Sequence, residues 1–101
     1  MVENLSVETL HGNFDDYCVI DVREDEEYES VHIAGTVLAP LSEPLGAIQN
    51  DGKKIVFMCR SGKRSLMAAQ KYLFKNPSDT VYNLTGGILA WIENGYPVAE
   101  K

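Results

Sequence analysis

Residues 59–65 read CRSGKRS, and they set a sulfur nucleophile, Cys59, directly before three cations, Arg60, Lys63 and Arg64. The chain has only nine basic residues and a formal net charge of −6, so a third of its positive side chains stand behind one cysteine. The reactive form of cysteine is the thiolate, and helix N-termini and neighbouring cations stabilise it. The run KKIVFMC at 53–59 predicts a buried strand, and GKRSLMAAQKYLFKN at 62–76 predicts a helix closed by Pro77. Cys59 therefore falls at the rim of a sheet and faces a helix N-terminus, where unpaired N–H groups favour negative charge. Gly62 lets the loop take a left-handed or crowded conformation, so that successive N–H groups turn inward as a nest. Ser65 is placed to cap the helix or to bond the loop. The expected chemistry is an acidified Cys59 thiol beside an anion cradle formed by Arg60, Ser61, Gly62, Lys63, Arg64 and Ser65. An anionic nucleophile that attacks an anionic substrate needs local positive potential, and this loop supplies it against the sign of the whole chain. A thiolate formed in this way needs no separate histidine base.

The elements that must hold this loop alternate between strand and helix. SVETLHG (6–12) predicts a short opening helix, YCVIDV (17–22) a buried strand, and the charged segment 23–30 a helix with its acids early. GTVLAP (35–40) predicts a short strand, 41–49 an irregular helix with Pro44 near its first turn, and Asp51-Gly52 a turn. TVYNL (80–84) predicts another strand, and GGILAWIENG (86–95) a helix between glycines. This alternation is that of an α/β fold with a mostly parallel central sheet and helices on both faces. Ligands of such sheets sit beyond the carboxyl ends of the strands, here residues 21–23, 59–65 and 85–87.

Within this frame Asp21 and Arg23 are read as an ion pair or cap that supports the loops, and His32 as a turn-fixing residue. The acids at 24–29 are read as a solvated helix face, and Cys18 as a buried strand residue. Helix 62–76 is expected to bury Leu66, Ala69 and Leu73, with Met67 beside them. Trp91, with Ile88, Leu89 and Ile92, is assigned to the core. Gly86 and Gly87 are read as allowing the last helix to approach the pocket closely.

Composition narrows the function further. A length of 101 residues fits one domain over 1–101, and 45% hydrophobic residues are too many for a disordered chain. A pI near 4.7 argues against nucleic acid and against polybasic membrane surfaces as partners. No apolar run approaches the roughly 18 residues of a membrane span. The two cysteines form no CxxC pair and are too few for a disulfide framework, so neither a metal site nor a dithiol is implied. The acidic start MVENLSVETL lacks the form of a signal peptide, and a cytoplasmic location with reduced thiols is the expectation.

Three segments resemble one family. CRSGKRS is similar to the rhodanese active loop, C-x-x-G-x-R followed by Ser or Thr. VIDVREDEEYESVHIAGTVLAP (19–40) resembles the family's N-terminal signature, and VYNLTGGILAWIENGYPV (81–98) its closing one. Together they cover nearly the whole chain and identify it as similar to a single-domain rhodanese, a sulfurtransferase. The resemblance implies a three-layer rhodanese-like fold and a ping-pong reaction without a metal or organic cofactor. Its partners would be a small anionic sulfur donor such as thiosulfate and a thiophilic acceptor: cyanide, a small thiol or a protein thiol. Cys59 would carry the sulfur as a persulfide and the N–H groups of the loop would hold it. Arg60 and Lys63 would receive the donor if they point outward, while Arg64 either does the same or pairs with a carboxylate. Two other readings stand beside this one. Phosphatases of related fold place five residues between Cys and Arg, whereas four (Arg60, Ser61, Gly62 and Lys63) stand here. Rhodanese modules also serve as non-catalytic interaction domains, typically where the cysteine is lost.

Overall fold

The inner strands of a parallel sheet are buried on both faces, so each must be apolar nearly throughout, and the apolar runs of this chain form such strands. The computed structural model describes residues 1–100. In chain order the elements are β1 (Val2–Leu5), α1 (Val7–Gly12), a single 3-10 turn (Phe14–Asp16), β2 (Tyr17–Asp21), α2 (Asp25–Ser30), β3 (Val37–Leu38), β4 (Lys54–Met58), α3 (Lys63–Lys75), β5 (Val81–Leu84) and α4 (Gly87–Glu93). The sheet order is β1-β5-β4-β2-β3, with every pairing parallel. The register sets Ile20 beside Phe57 and Phe57 beside Asn83, so the central strands end at nearly one level.

Successive residues of a strand point to opposite faces, and the two halves of the core follow from that. Val19, Val56, Met58 and Leu84 pack on one face with Leu10 of α1 and with Ile88 and Trp91 of α4. Ile20, Ile55 and Phe57 pack on the other face with Ala68 and Ala69 of α3. The expected three layers are present. Ser6 caps α1 by accepting from the Thr9 N–H, and Glu24 and Glu27 close a capping box on α2.

Several expectations need correction. One element has no counterpart in the sequence reading: the residues before the opening helix form an edge strand, β1, which pairs with β5. Their acidic, broken pattern hid this, because an edge strand needs pairing on one side only. Residues 41–49 form no helix. Pro44 disfavours helical backbone at Glu43, and the segment instead runs irregularly while Leu41, Leu45 and Ile48 lie against the second core half. Helix α3 buries Ser65, Ala68 and Ala69, with Leu73 partly covered, whereas Leu66 and Met67 are exposed. Small residues at 65, 68 and 69 let the helix lie close on the sheet, and this turns the larger Leu66 and Met67 outward. Ile88 and Trp91 are buried, but Leu89 and Ile92 are exposed. Cys18 is only half-buried, and burial is the main influence raising its thiol pKa. Among the described residues no helix is long and apolar enough to cross a membrane.

Trp91 ties α4 to the rest of its layer. It is 2% exposed, packs beside His11, Phe14 and Tyr96, and donates its indole N–H to the Pro97 carbonyl at 2.8 Å. Trp91→Ala is expected to cost about 3–5 kcal/mol, from lost burial and the cavity left behind, measured as a fall in the urea midpoint.

Candidate active site

Because all five strands run in one direction, their carboxyl ends and the loops that follow share one edge of the sheet. Cys59 follows the last residue of β4, in the strand next to both β2 and β5. Gly62 is the N-cap of α3 with φ +110°, a left-handed conformation that strains any residue carrying a Cβ. That conformation aims the Gly62 N–H back at the Cys59 sulfur, 3.1 Å away. Ser65 does not cap the helix. Its hydroxyl lies 3.4 Å from Cys59 Sγ and donates to Asn83 Oδ1 at 2.5 Å. Asn83 in turn donates from Nδ2 to the Gly62 carbonyl at 3.0 Å. The loop is thus closed on the sulfur from its own side and pinned from β5.

A third strand end completes the pinning. The Cys59 and Arg60 carbonyls accept from the Ile88 and Leu89 N–H groups at the start of α4, at 2.9 and 3.2 Å. Such an approach needs Gly87, which has φ +60° and where an added Cβ would run into those same two carbonyl oxygens. The expected close approach through Gly87 is therefore present.

Cys59 is only 1% exposed. Burial pushes its thiol pKa up, but the Ser65 hydroxyl and the N–H groups of Ser65, Gly62 and Ser61 outweigh that, and the thiol is more acidic than usual. The acidification comes mainly from hydrogen-bond donors around the sulfur, and less from the flanking cations than the sequence implied.

The three cations part company. Arg64 grips Glu27 of α2 through two hydrogen bonds, at 2.7 and 2.9 Å. Its guanidinium is the largest of the influences that bring the Glu27 carboxyl down to about 2. Arg60 and Lys63 are exposed, and among the described residues neither forms an ion pair. Asp21 and Arg23 form a buried pair at 2.8 Å, 0% and 3% exposed. Arg23 also donates to the carbonyls of Glu27 and Val31 at 3.3 and 2.8 Å. It thereby fixes α2, whose Glu27 holds Arg64. The Asp21–Arg23 pair supports the loop at second hand and does not touch the sulfur. His32 fixes its turn as expected, with Nδ1 3.0 Å from the Tyr28 carbonyl and its backbone paired with Ala99.

Two participants escaped the sequence reading. Glu27 sits in an acidic run whose pattern is that of a solvated face, and nothing local links it to an arginine 37 positions away. Asn83 did leave a signal: a polar amide inside an apolar strand, where Asn is depleted and where burial demands partners. Two surface grooves lie away from the sulfur. The larger, of about 750 Å³, runs between residues 39–48 and α3, and neither it nor the smaller one near Cys18 is lined by Cys59.

Comparison with known proteins agrees with this geometry. The family model described as Rhodanese-like domain matches residues 6–94. A protein named Sulfurtransferase from Allochromatium vinosum is 31% identical over 97% of this chain and 95% of its own length. The crystal structure of a rhodanese-related protein from Thermoplasma volcanium superposes with a TM-score of 0.82 at 34% identity, over 98% of this chain and 99% of that one. A Bacillus subtilis protein that bears the name of a sulfur carrier, YrkF, is 40% identical over 72% of this chain, which spans only 40% of that relative's length. The chain belongs to the rhodanese-like domain family.

The Glu27–Arg64 clamp makes a pH prediction. The folded-state pKa of Glu27 is depressed to about 2 from an ordinary 4.5, so its stabilising effect is complete above about pH 4.5 and is lost as pH falls toward 2. Denaturant titrations of wild type and Glu27→Gln should differ by a constant amount above that range, and the two curves should converge below it.

Proposed function

We propose that residues 1–101 act as one rhodanese unit that transfers a sulfane sulfur through Cys59. The observation that carries this reading is the Gly62 N–H held 3.1 Å from a sulfur whose thiol is acidified by the donors around it. In the first half-reaction the Cys59 thiolate attacks the outer sulfur of thiosulfate. The S–S bond of the donor breaks, and sulfite leaves with the electron pair. Cys59 is left as a persulfide, its charge on the outer sulfur within the N–H groups of Ser61, Gly62 and Ser65, in the way that oxyanion-hole donors hold developing charge. In the second half-reaction cyanide or a thiolate attacks that outer sulfur, and the Cys59 thiolate is restored. No cofactor enters either step.

Thiosulfate suits this site for two reasons. It is small, and the sulfur it must reach is almost fully buried. It carries two negative charges, and Arg60 and Lys63 stand exposed beside the loop, free to meet its sulfonate end. Arg64, engaged with Glu27, orders the loop. Sulfur transfer in general is supported by the relative named for sulfur carriage and by the relative named Sulfurtransferase. A reduced, cytoplasmic setting would keep Cys59 available. Against the phosphatase reading stands the loop length: one residue fewer between Cys59 and Arg64 means about 3.3–3.6 Å less chain and one fewer inward N–H for a phosphoryl group.

Intact mass after thiosulfate treatment tests the proposal. Wild type should gain one sulfur atom and lose it to cyanide with formation of thiocyanate, while Cys59→Ser should gain none. Labelling of the variant equal to wild type would sink the assignment, and Cys59-dependent hydrolysis of aryl phosphates would favour the phosphatase instead. Lys63→Ala should weaken thiosulfate use, about tenfold in kcat/KM for one lost charge-assisted contact, with persulfide lifetime little changed. Equal loss of both would contradict a donor-binding role for Lys63.

A further inference from the structure

The Ser65 hydroxyl has one proton and two claimants. It donates to Asn83 Oδ1 at 2.5 Å, while Cys59 Sγ lies 3.4 Å from the same hydroxyl oxygen. Asn83 is not free to turn its amide over, because its Nδ2 donates to the Gly62 carbonyl. A carboxamide oxygen can only accept. With its proton on the Asn83 side, Ser65 can therefore only accept from Cys59, and that arrangement suits a thiol, whose S–H points at Oγ. A thiolate has no proton to give and needs a donor. To serve it, Ser65 must swing its proton from Asn83 Oδ1 to the sulfur. Cys59, Ser65 and Asn83 are 1%, 0% and 8% exposed, so water does not readily replace the bond given up.

We propose that Asn83 is a positioning residue that holds the Ser65 proton in the resting thiol state and thereby sets how readily Cys59 ionises. The exchange balances. Cys59 gives its proton to solvent, the Ser65–Asn83 hydrogen bond breaks, and a Ser65–sulfur hydrogen bond forms, with no electron transfer. In the persulfide the charge moves to the outer sulfur and Cys59 Sγ becomes a neutral, weak acceptor, so the proton returns to Asn83. The hydroxyl supports the nucleophile while it is needed and withdraws once sulfur is loaded. This inference rests on the sulfur-transfer reading for what the ionised sulfur does next, but the ionisation itself is independent of it.

The charged groups of the surrounding elements are Arg60 and Lys63 of the loop, Arg64 with Glu27 from α2, and the Asp21–Arg23 pair after β2. The polar partners of Ser65 and Asn83 are each other, Cys59 and the Gly62 carbonyl, so the exchange can be isolated by a double-mutant cycle. The ionisation midpoint of Cys59 would be read from its Cβ chemical shift by NMR across pH, in isotope-labelled protein without any sulfur donor. Ser65→Ala should raise the midpoint by about one pH unit, through loss of the one side-chain donor to the thiolate among the described residues. Asn83→Leu should lower it by about half a unit, since ionisation no longer breaks a hydrogen bond. In the Ser65→Ala background Asn83→Leu should have no effect. An unshifted Asn83→Leu, or a shift that persists without Ser65, would overturn the inference and leave Asn83 only its contact with Gly62. If leucine at this position unfolds the chain, Asn83→Asp keeps the shape and the acceptor. It should raise the midpoint more with Ser65 present than without it, and equal rises would overturn the inference. Failure of the persulfide to form would count against the sulfur-transfer reading alone.

Discussion

A buried sulfur can carry negative charge only where donors take the place of water, and here the Gly62 N–H points at the sulfur from 3.1 Å, the Ser65 hydroxyl lies 3.4 Å away, and the N–H groups of Ser61 and Ser65 also favour the ionised form. The rest of the structure serves that arrangement. A left-handed residue at the start of α3 is needed to turn the chain back on Cys59, and Gly62 supplies it. Small residues along α3 are needed to seat the helix against the sheet, and Ser65, Ala68 and Ala69 supply those. A neighbouring helix must start close enough to hold the carbonyls of Cys59 and Arg60, and only a glycine at position 87 leaves room for it.

The scaffold around the loop is a relay of fixed parts. The buried Asp21–Arg23 pair is fully hydrogen-bonded, so its burial is tolerated, and removal of one partner would leave an uncompensated charge. Arg23 reaches onward to α2, and α2 presents Glu27 to Arg64. Three cations that look alike in sequence thus fall into two kinds. Arg64 is spent on structure, and Arg60 and Lys63 remain exposed on a chain of net charge −6. The proposed preference for a small dianionic donor follows from that division as much as from the loop.

Much of the fold could be read from residues alone, because the apolar strands β2, β4 and β5 have no other stable environment and their alternation with helices permits few topologies. Where the reading missed, the cause was tertiary. Strand β1 has an acidic, unremarkable pattern and becomes a strand by pairing with β5. Helical spacing in α3 points to the face of Leu66, Ala69 and Leu73, but the close seat of the small residues at 65, 68 and 69 on the sheet turns Leu66 and Met67 outward. Residues 41–49 show helix-like apolar spacing, but Pro44 and the need to cover the second core half keep them irregular.

Residue order by itself determined the family and the proposed place of the nucleophile and its cradle, since strand, cysteine, glycine and helix start are contiguous and their chemistry is local. Only the folded chain decided which long-range partners complete the site. Glu27 lies 37 residues from Arg64, and Asn83 lies 18 from Ser65. Pairing across such separations depends on how the sheet orders its strands and on which side of α3 meets it. The division of labour among Arg60, Lys63 and Arg64, and the double claim on one serine proton, therefore belong to tertiary structure, where distance and burial replace spacing as the deciding quantities.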